Sequence, residues 1–441
     1  MTRVILLLVG CIMFTASSWA VPAIQAHTLS NGVRVLLMES HGIPMVSASL
    51  MMPAGSRYDR DGKGGSASLL ADMLVDHTKM MDQVAWSERL DEDAIQLAAG
   101  VDKDTMSISL TVLKEMLPQG VDVLQEGLLS PGWRTDRFKQ LQEDAISGAK
   151  KSEEEPGVRA GEVMATMLFP NHPYGHRSSG SATSLAAISL VDLQTLYAAQ
   201  CKPEGAVLAV SGDVTMEELV GLFEPALHAW HGKPVIAANE IARPAKVAGK
   251  QQQITMPTTQ MMVQLFRTGP KRLDHDFFSA FVLNHIMGGG GFASRLMEEV
   301  REKRGMVYGV YSYFMPLETN GPFMIGLQTR ANQAGEAVEI VEQVMQDLYL
   351  HGVTQQELDA AKSNLVGGFA QRMDSNRERV GLIGMIGFYR LPLDYLQTWQ
   401  QRVNSVTLQE VHSAAERYLE PKSWNRVYVG PMLSAPGVLP H

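Results

Sequence analysis

Cysteine is nearly absent from this chain of 441 residues, which has only Cys11 and Cys201. Cys11 falls in a segment with the features of an export leader, so the remaining thiol has no partner and an internal disulfide is excluded even in an oxidising compartment. Cys201, between Gln200 and Lys202, lacks a matched base and reads as a packed structural residue, not a nucleophile. A basic surplus is missing too. The formal charge is -9 and no long Lys/Arg cluster occurs, which argues against nucleic acid as a partner because phosphate binding needs a basic footprint. Beyond the leader no apolar run reaches the ~18 residues that a membrane helix requires. The 45% hydrophobic and 19% charged content is that of a globular chain, not a disordered one.

What is present begins with an address. Met1 to Ala20 has Arg3, an apolar run from Val4 to Phe14, and Ser18-Trp19-Ala20 as a small-x-small cleavage site. This predicts a secretory signal peptide over 1–20, with cleavage as late as Ala26 an alternative. Leu8-Val9-Gly10-Cys11 also looks like a lipoprotein box, which would anchor the protein through Cys11 but leave an unusually short signal. The expected location is the bacterial periplasm.

The length suggests two or three units at roughly 150 residues each. The first half, 27–231, opens with hairpin grammar: Asn31-Gly32 and Gly42-Ile43-Pro44 punctuate three strand-like runs. Helical periodicity follows from Gly65 to Thr78 and from Gln83 to Leu97. Strand pairs at Ala98 to Val101 and Thr105 to Val112 precede a long, mostly helical region, and Ala206 to Ser211 reads as a buried strand. Residues 232–250 carry Pro234 and Pro244 among small and polar residues and predict a linker. The same grammar resumes over 251–435. Two α+β halves of similar design, each an antiparallel-rich sheet with a layer of helices, account for this order better than a doubly wound sheet.

The most informative stretch is Phe292 to Phe314, where a helix-period segment runs into Gly305 and emerges as an alternating strand. Leu296, Val300 and the stem of Lys303 are expected to share a helical face. Gly305 sits where a left-handed cap is expected, and Val307, Val310 and the tyrosines at 308, 311 and 313 suit a strand. Arg301 and Tyr308 therefore flank one chain reversal. A guanidinium and a phenol so placed can hydrogen-bond a peptide carbonyl or a developing oxyanion; the plain alternative is a surface arginine beside a half-buried tyrosine.

Several motifs in order carry a resemblance. Gly55-Ser56-Arg57-Tyr58 leading into Gly64-Gly65, His172-Pro173-Tyr174-Gly175, Lys202-Pro203 through Val214, Ser294-Arg295-Leu296 through Tyr308, and Gly352-Val353-Thr354 through Lys362 together resemble the insulinase/pitrilysin family of zinc peptidases over nearly the whole mature length. The resemblance implies paired homologous α+β domains forming half of a clam-shaped chamber. It also implies that Arg301 and Tyr308 are substrate-binding residues that reach toward a zinc held elsewhere.

The departure from that family is as informative. Active members carry His-x-x-Glu-His, two zinc-binding imidazoles and a general base one turn apart. Here the matching positions read Ser68-Leu69-Leu70-Ala71-Asp72: no imidazole remains, and Ala71 has no proton-accepting group. The third-ligand position falls near Ser147-Gly148, which offers no credible zinc donor. A displaced site would need Asp72, Asp76 and His77, which include one nitrogen donor only; a solvated acidic helix face is the plain account. His172, His176, His228 and His231 read as satisfied loop or helix-end residues. The run Gly288 to Gly291 lacks the strand and Lys-Ser/Thr context of a phosphate cradle and is expected to be a flexible cap and turn, with reception of substrate as the role that the resemblance suggests.

The resemblance thus points to the non-zinc subunit of a two-chain peptidase, with no metal in this chain, zinc in a homologous partner, and peptide as substrate. Two other readings stay open: a stand-alone exported peptide-binding or scaffolding protein, and an independent metallopeptidase with a relocated metal site.

Overall fold

A computed structural model describes residues 22–432. The predicted leader and the Pro-rich tail lie outside the described residues. The first half forms a six-stranded sheet from β1 (Gln25–Thr28), β2 (Arg34–Glu39), β3 (Met45–Met52), β4 (Gln96–Val101), β5 (Met106–Leu113) and β6 (Val207–Gly212), in the order β1-β2-β6-β3-β5-β4. The second half forms a five-stranded sheet from β7 (Gln251–Thr255), β8 (Gln260–Thr268), β9 (Val307–Phe314), β10 (Pro322–Arg330) and β11 (Asn425–Gly430), in the order β7-β11-β8-β10-β9.

The two sheets repeat one pattern. In each, a single parallel pair, β2 with β6 and β7 with β11, is followed by antiparallel neighbours out to an edge strand, β4 or β9. Period-2 patterning explains the orientation of the strands. Along β5, Met106, Ile108, Leu110 and Val112 are buried against the helices of the first half, while Ser107, Ser109 and Thr111 turn to the other face. β4 begins at Gln96, inside the stretch Gln83 to Leu97 expected to be helical; the helix ends at Glu92. Helices Tyr395–Ser405 and Leu408–Tyr418 have no counterpart in the periodicity reading.

The helical layers are shared between the halves. Helix Asn376–Phe388, from the second half, lies on β2, β3 and β6 of the first sheet. Helix Pro156–Leu168, from the first half, lies on β8 and β11 of the second, where Ala160 and Leu168 join Phe266, Val427 and Val429 in one core. Two glycines make the first docking close. A Cβ on Gly384 would stand 2.5 Å from Met51 Sδ, and one on Gly387 would stand 2.6 Å from both Leu36 Cδ1 and Val207 Cγ1.

A buried carboxylate closes the junction. Asp104, fully buried in the β4–β5 turn, accepts hydrogen bonds on Oδ1 from Arg57 (3.0 Å) and the Tyr174 hydroxyl (2.6 Å). Its Oδ2 accepts from the Tyr389 hydroxyl (3.0 Å) and the Glu318 N–H (2.9 Å). Arg57 also donates to the carbonyl of Ala238, in the segment joining the halves. Burial first, and then the charge of Asp104, push both phenols upward in pKa, so they act as donors at any ordinary pH.

Candidate functional site

Helix Ser66–Asp76 packs against β4 and against helix Thr135–Glu153, so the positions matched to the zinc motif stand beside the edge of the first sheet. Its start is built by Asp59, whose carboxylate accepts from the N–H groups of Gly65 and Ala67, both at 2.8 Å. Gly65 has φ +98°, and a Cβ there would meet Leu185 Cδ2 at 2.7 Å. Within the helix, Ser68 Oγ donates to the Ser178 carbonyl at 2.9 Å, Ala71 is buried, and Asp72 is exposed. Protein mass on several sides of Asp72, and then the charge of Asp76, push its carboxyl up to about 6.

The donors that a relocated metal would need are otherwise engaged. Asp76 accepts from Arg137 Nε (2.9 Å) and Nη2 (2.6 Å) and pairs with His77 Nδ1 at 2.8 Å. Burial works to raise the Asp76 carboxyl, but His77 and Arg137 together pull it down to about 2. His77 is fully buried, and its Nε2 accepts from the N–H of Arg134 at 3.3 Å, so both ring nitrogens are used. Among the described residues no group of three or more His, Cys, Asp or Glu side chains converges as a metal ion would need. Ser68, Ala71 and Asp72 offer one carboxylate between them, and Ser147 and Gly148 add none. These residues do not fit a catalytic zinc. Of the loop and helix-end histidines singled out by the sequence, His176 pairs with Asp59 at 3.2 Å, His172 Nε2 lies 3.0 Å from the Ala242 carbonyl, and His228 and His231 pack edge to face.

On the second half the stretch around Arg301 departs from a plain helix. A short 3-10 turn at Gly291–Ala293 and a π-helical turn at Met297–Glu302 replace the single α-helix that periodicity predicts. Leu296 and Val300 are buried as expected, whereas Lys303 is half exposed and tied to Glu298 and Glu299 instead of lying on their face. Gly305 takes φ +61° and turns the chain into β9. There Val307 pairs with Thr329 and Val310 with Leu327, which leaves Tyr308 and Gly309 opposite the single residue Gln328. This bulge re-phases the strand. Val307, Val310 and Ser312 all face the core, and Tyr308, Tyr311 and Tyr313 all face outward.

Tyr308 is consequently 92% exposed rather than half-buried, and Arg301 lies beside it with its guanidinium carbon 5.6 Å from the phenol ring. The same guanidinium carbon is 4.7 Å from the ring centre of Phe292. Among the described residues its ion-pair partner is Glu302, at 3.4 Å. The structure thus brings Arg301 and Tyr308 together and adds Phe292, which the sequence reading left out.

The glycine run before Phe292 closes a π-helical turn, His285–Gly289, in which an added Cβ would find little room. A Cβ on Gly288 would meet Ser312 Oγ at 2.6 Å, one on Gly289 would meet Asn284 Nδ2 at 2.5 Å, and one on Gly290 would meet the His285 carbonyl at 2.7 Å. Only Gly291, at φ +60°, has open space around it.

The open faces of the two sheets differ in chemistry. On the first, Ser47, Ser49, Ser107, Ser109 and Thr111 line a cleft of about 790 Å³ that Asp102 and Arg377 also border. On the second, Tyr311 and Tyr313 stack at 6.0 Å and 14°, and Tyr311 covers Gly326, where a Cβ would fall 2.6 Å from its ring.

A solved structure from Pseudomonas fluorescens, described as a peptidase M16 inactive domain, superposes with a TM-score of 0.88 at 31% identity, covering 94% of this chain and 99% of its own. The chain belongs to the insulinase family. The family model for insulinase (peptidase family M16) matches residues 34–176, and that for the peptidase M16 inactive domain matches residues 187–365. A Helicobacter pylori protein named non-peptidase homolog YmxG is 26% identical over 88% of this chain and 89% of its own length. An uncharacterized zinc protease of Mycobacterium bovis is 24% identical over 92% of both. This member of the insulinase family therefore has the two α+β domains of the fold, and its zinc-motif helix carries no zinc-binding set.

Proposed function

We propose that this insulinase-family chain is a catalytically incomplete subunit that pairs with a zinc-bearing homologue to form a peptidase. The observation that carries the reading is the contrast between the two halves. The Ser66–Asp76 helix offers no base at Ala71 and no imidazole at the motif positions, while half-buried Arg301, on the Met297–Glu302 turn, lies beside exposed Tyr308 on a bulged edge strand. Both side chains can donate hydrogen bonds. They would orient a peptide and donate to its carbonyl oxygen as charge develops there, with bond cleavage at the metal of the partner. The peptide would lie in an enclosed chamber as an added strand against a sheet edge. Export through the N-terminal leader would place the pair in the periplasm, with anchoring through Cys11 as the alternative.

The test is reconstitution. Loss of one such donor commonly costs ~2.7 to 4 kcal/mol, so Tyr308→Phe should lower turnover of the mixed pair by about a hundredfold while leaving the melting temperature unchanged. Unchanged turnover would remove Tyr308 from the mechanism. The hydroxyl-lined cleft supports a second reading, a peptide-binding protein without an enzymatic partner. It predicts peptide binding by the isolated chain and no stable complex with a zinc-bearing homologue.

A further inference from the structure

We infer that Phe292 is a positioning residue for Arg301, a role that rests on the donor function proposed for Arg301 and Tyr308. Phe292 is 72% exposed, so folding gains little from its ring. Its ring is nevertheless not idle: the Arg301 guanidinium carbon lies 4.7 Å from its centre and 5.6 Å from that of Tyr308. The cation thus contacts two rings that come from different segments, the Gly291–Ala293 turn and β9.

Nothing else fixes its direction as well. The Glu302 carboxylate is 3.4 Å away, adjacent in sequence and more than half exposed, so that pair is a loose tether in water. A cation–π contact uses no hydrogen-bond donor, so the guanidinium N–H groups stay available to an oxygen acceptor, and contact with two rings limits rotation of a side chain that otherwise samples many rotamers. The support under Phe292 is firm. Gly288 to Gly290 are packed against Ser312, Asn284 and His285, and Ser312 Oγ donates to Asn284 Oδ1 at 2.8 Å, pinning the turn to β9 itself. The turn that carries Phe292 and the strand that carries Tyr308 are therefore one framework, and the spacing of the two rings is set by it.

The experiment is a mutant cycle on the full chain, mixed with the zinc-bearing homologue that co-purifies with it and assayed on a quenched-fluorescent peptide mixture. Phe292→Leu should lower kcat about fivefold with the melting temperature unchanged, the size expected for loss of one exposed cation–π contact. Phe292→Tyr should restore it. In an Arg301→Ala background the Phe292→Leu effect should vanish, which a merely structural role would not produce. If Arg301→Ala impairs turnover and Phe292→Leu does not, or if Phe292→Tyr is as poor as Phe292→Leu, the positioning role is overturned and the proposed function stands. If Arg301→Ala itself has no effect, both fall.

Discussion

Asp104 and Tyr389 stand 285 positions apart in the chain and 3.0 Å apart in space. That bond joins the turn of the first sheet to the end of the helix that the second half lays across it. With Arg57, Tyr174 and the Glu318 N–H also converging on Asp104, the two halves share one buried carboxylate, and their relative placement depends on it.

Replacing Asp104 should therefore be severe. Asp104→Ala leaves the Arg57 guanidinium buried with its charge unmatched, and removal of one partner of a buried pair costs about 3 to 5 kcal/mol. Tyr389→Phe removes one hydrogen bond to the charged carboxylate and should cost about 1.5 to 3 kcal/mol. Urea unfolding of the three proteins checks the order; an Asp104→Ala variant as stable as the parent would show that the junction does not hold the halves together.

Glycines within one helix should respond with opposite signs. Gly387→Ala places a methyl 2.6 Å from Leu36 and Val207, and overpacking of this kind costs about 1 to 3 kcal/mol. Gly381, on the same Asn376–Phe388 helix, has nothing within 4 Å, so Gly381→Ala should gain about 0.5 to 1 kcal/mol from helix propensity alone. Thermal melts read both, and equal effects would contradict the close approach of this helix to the first sheet.

The acid limb of the stability curve should contain Glu357. Hydrogen bonds from Arg295, opposed by burial and aided by the Thr354 cap, hold its carboxyl down to about 2. A depressed carboxylate contributes stability that is present above its unfolded value of 4.5 and is lost as pH falls from there toward 2. Glu357→Gln should be less stable at pH 7, by on the order of 2 kcal/mol after allowance for partial exposure, and its stability should change less between pH 4.5 and 2. Asp72 works in the other direction. Its raised carboxyl, about 6, means that stability falls as pH rises from 3.8 to 6, so Asp72→Asn should flatten that interval.

Metal should be irrelevant to this chain by itself. Purified protein is expected to hold far less than one equivalent of zinc, and EDTA should leave its melting curve in place, because Ala71 and Ser68 cannot replace a base and an imidazole. Elemental analysis with a melt in chelator tests both. One equivalent of tightly held zinc would mean that ligands outside the Ser66–Asp76 helix had been assembled.

Some of what was missed left a local signal. Helix Leu408–Tyr418 places Leu408, Val411, Ala415 and Tyr418 at helical spacing, and Thr407 and Glu410 form a reciprocal cap, a pattern readable from Thr-x-x-Glu. The bulge at Tyr308 and Gly309 left only a hint, since Val-Tyr-Gly-Val-Tyr-Ser-Tyr breaks strict alternation at the glycine. Phe292 left none, because an exposed aromatic beside glycines has no periodicity to betray its partner.

The sequence by itself determined the α+β class, most of the strands, the loss of zinc-binding side chains, and the neighbourhood of Arg301 and Tyr308. Those are properties of residue type and short-range spacing, which period-2 and period-3.6 patterns and missing functional groups express directly. Only the tertiary structure decided which helix covers which sheet, that Asp104 gathers donors from both halves, and that Arg301 meets the rings of both Phe292 and Tyr308. Each of these depends on contacts between residues far apart in the chain or across a turn, where a few ångströms of approach, permitted by Gly384 and Gly387 or enforced by a bulge, select the outcome.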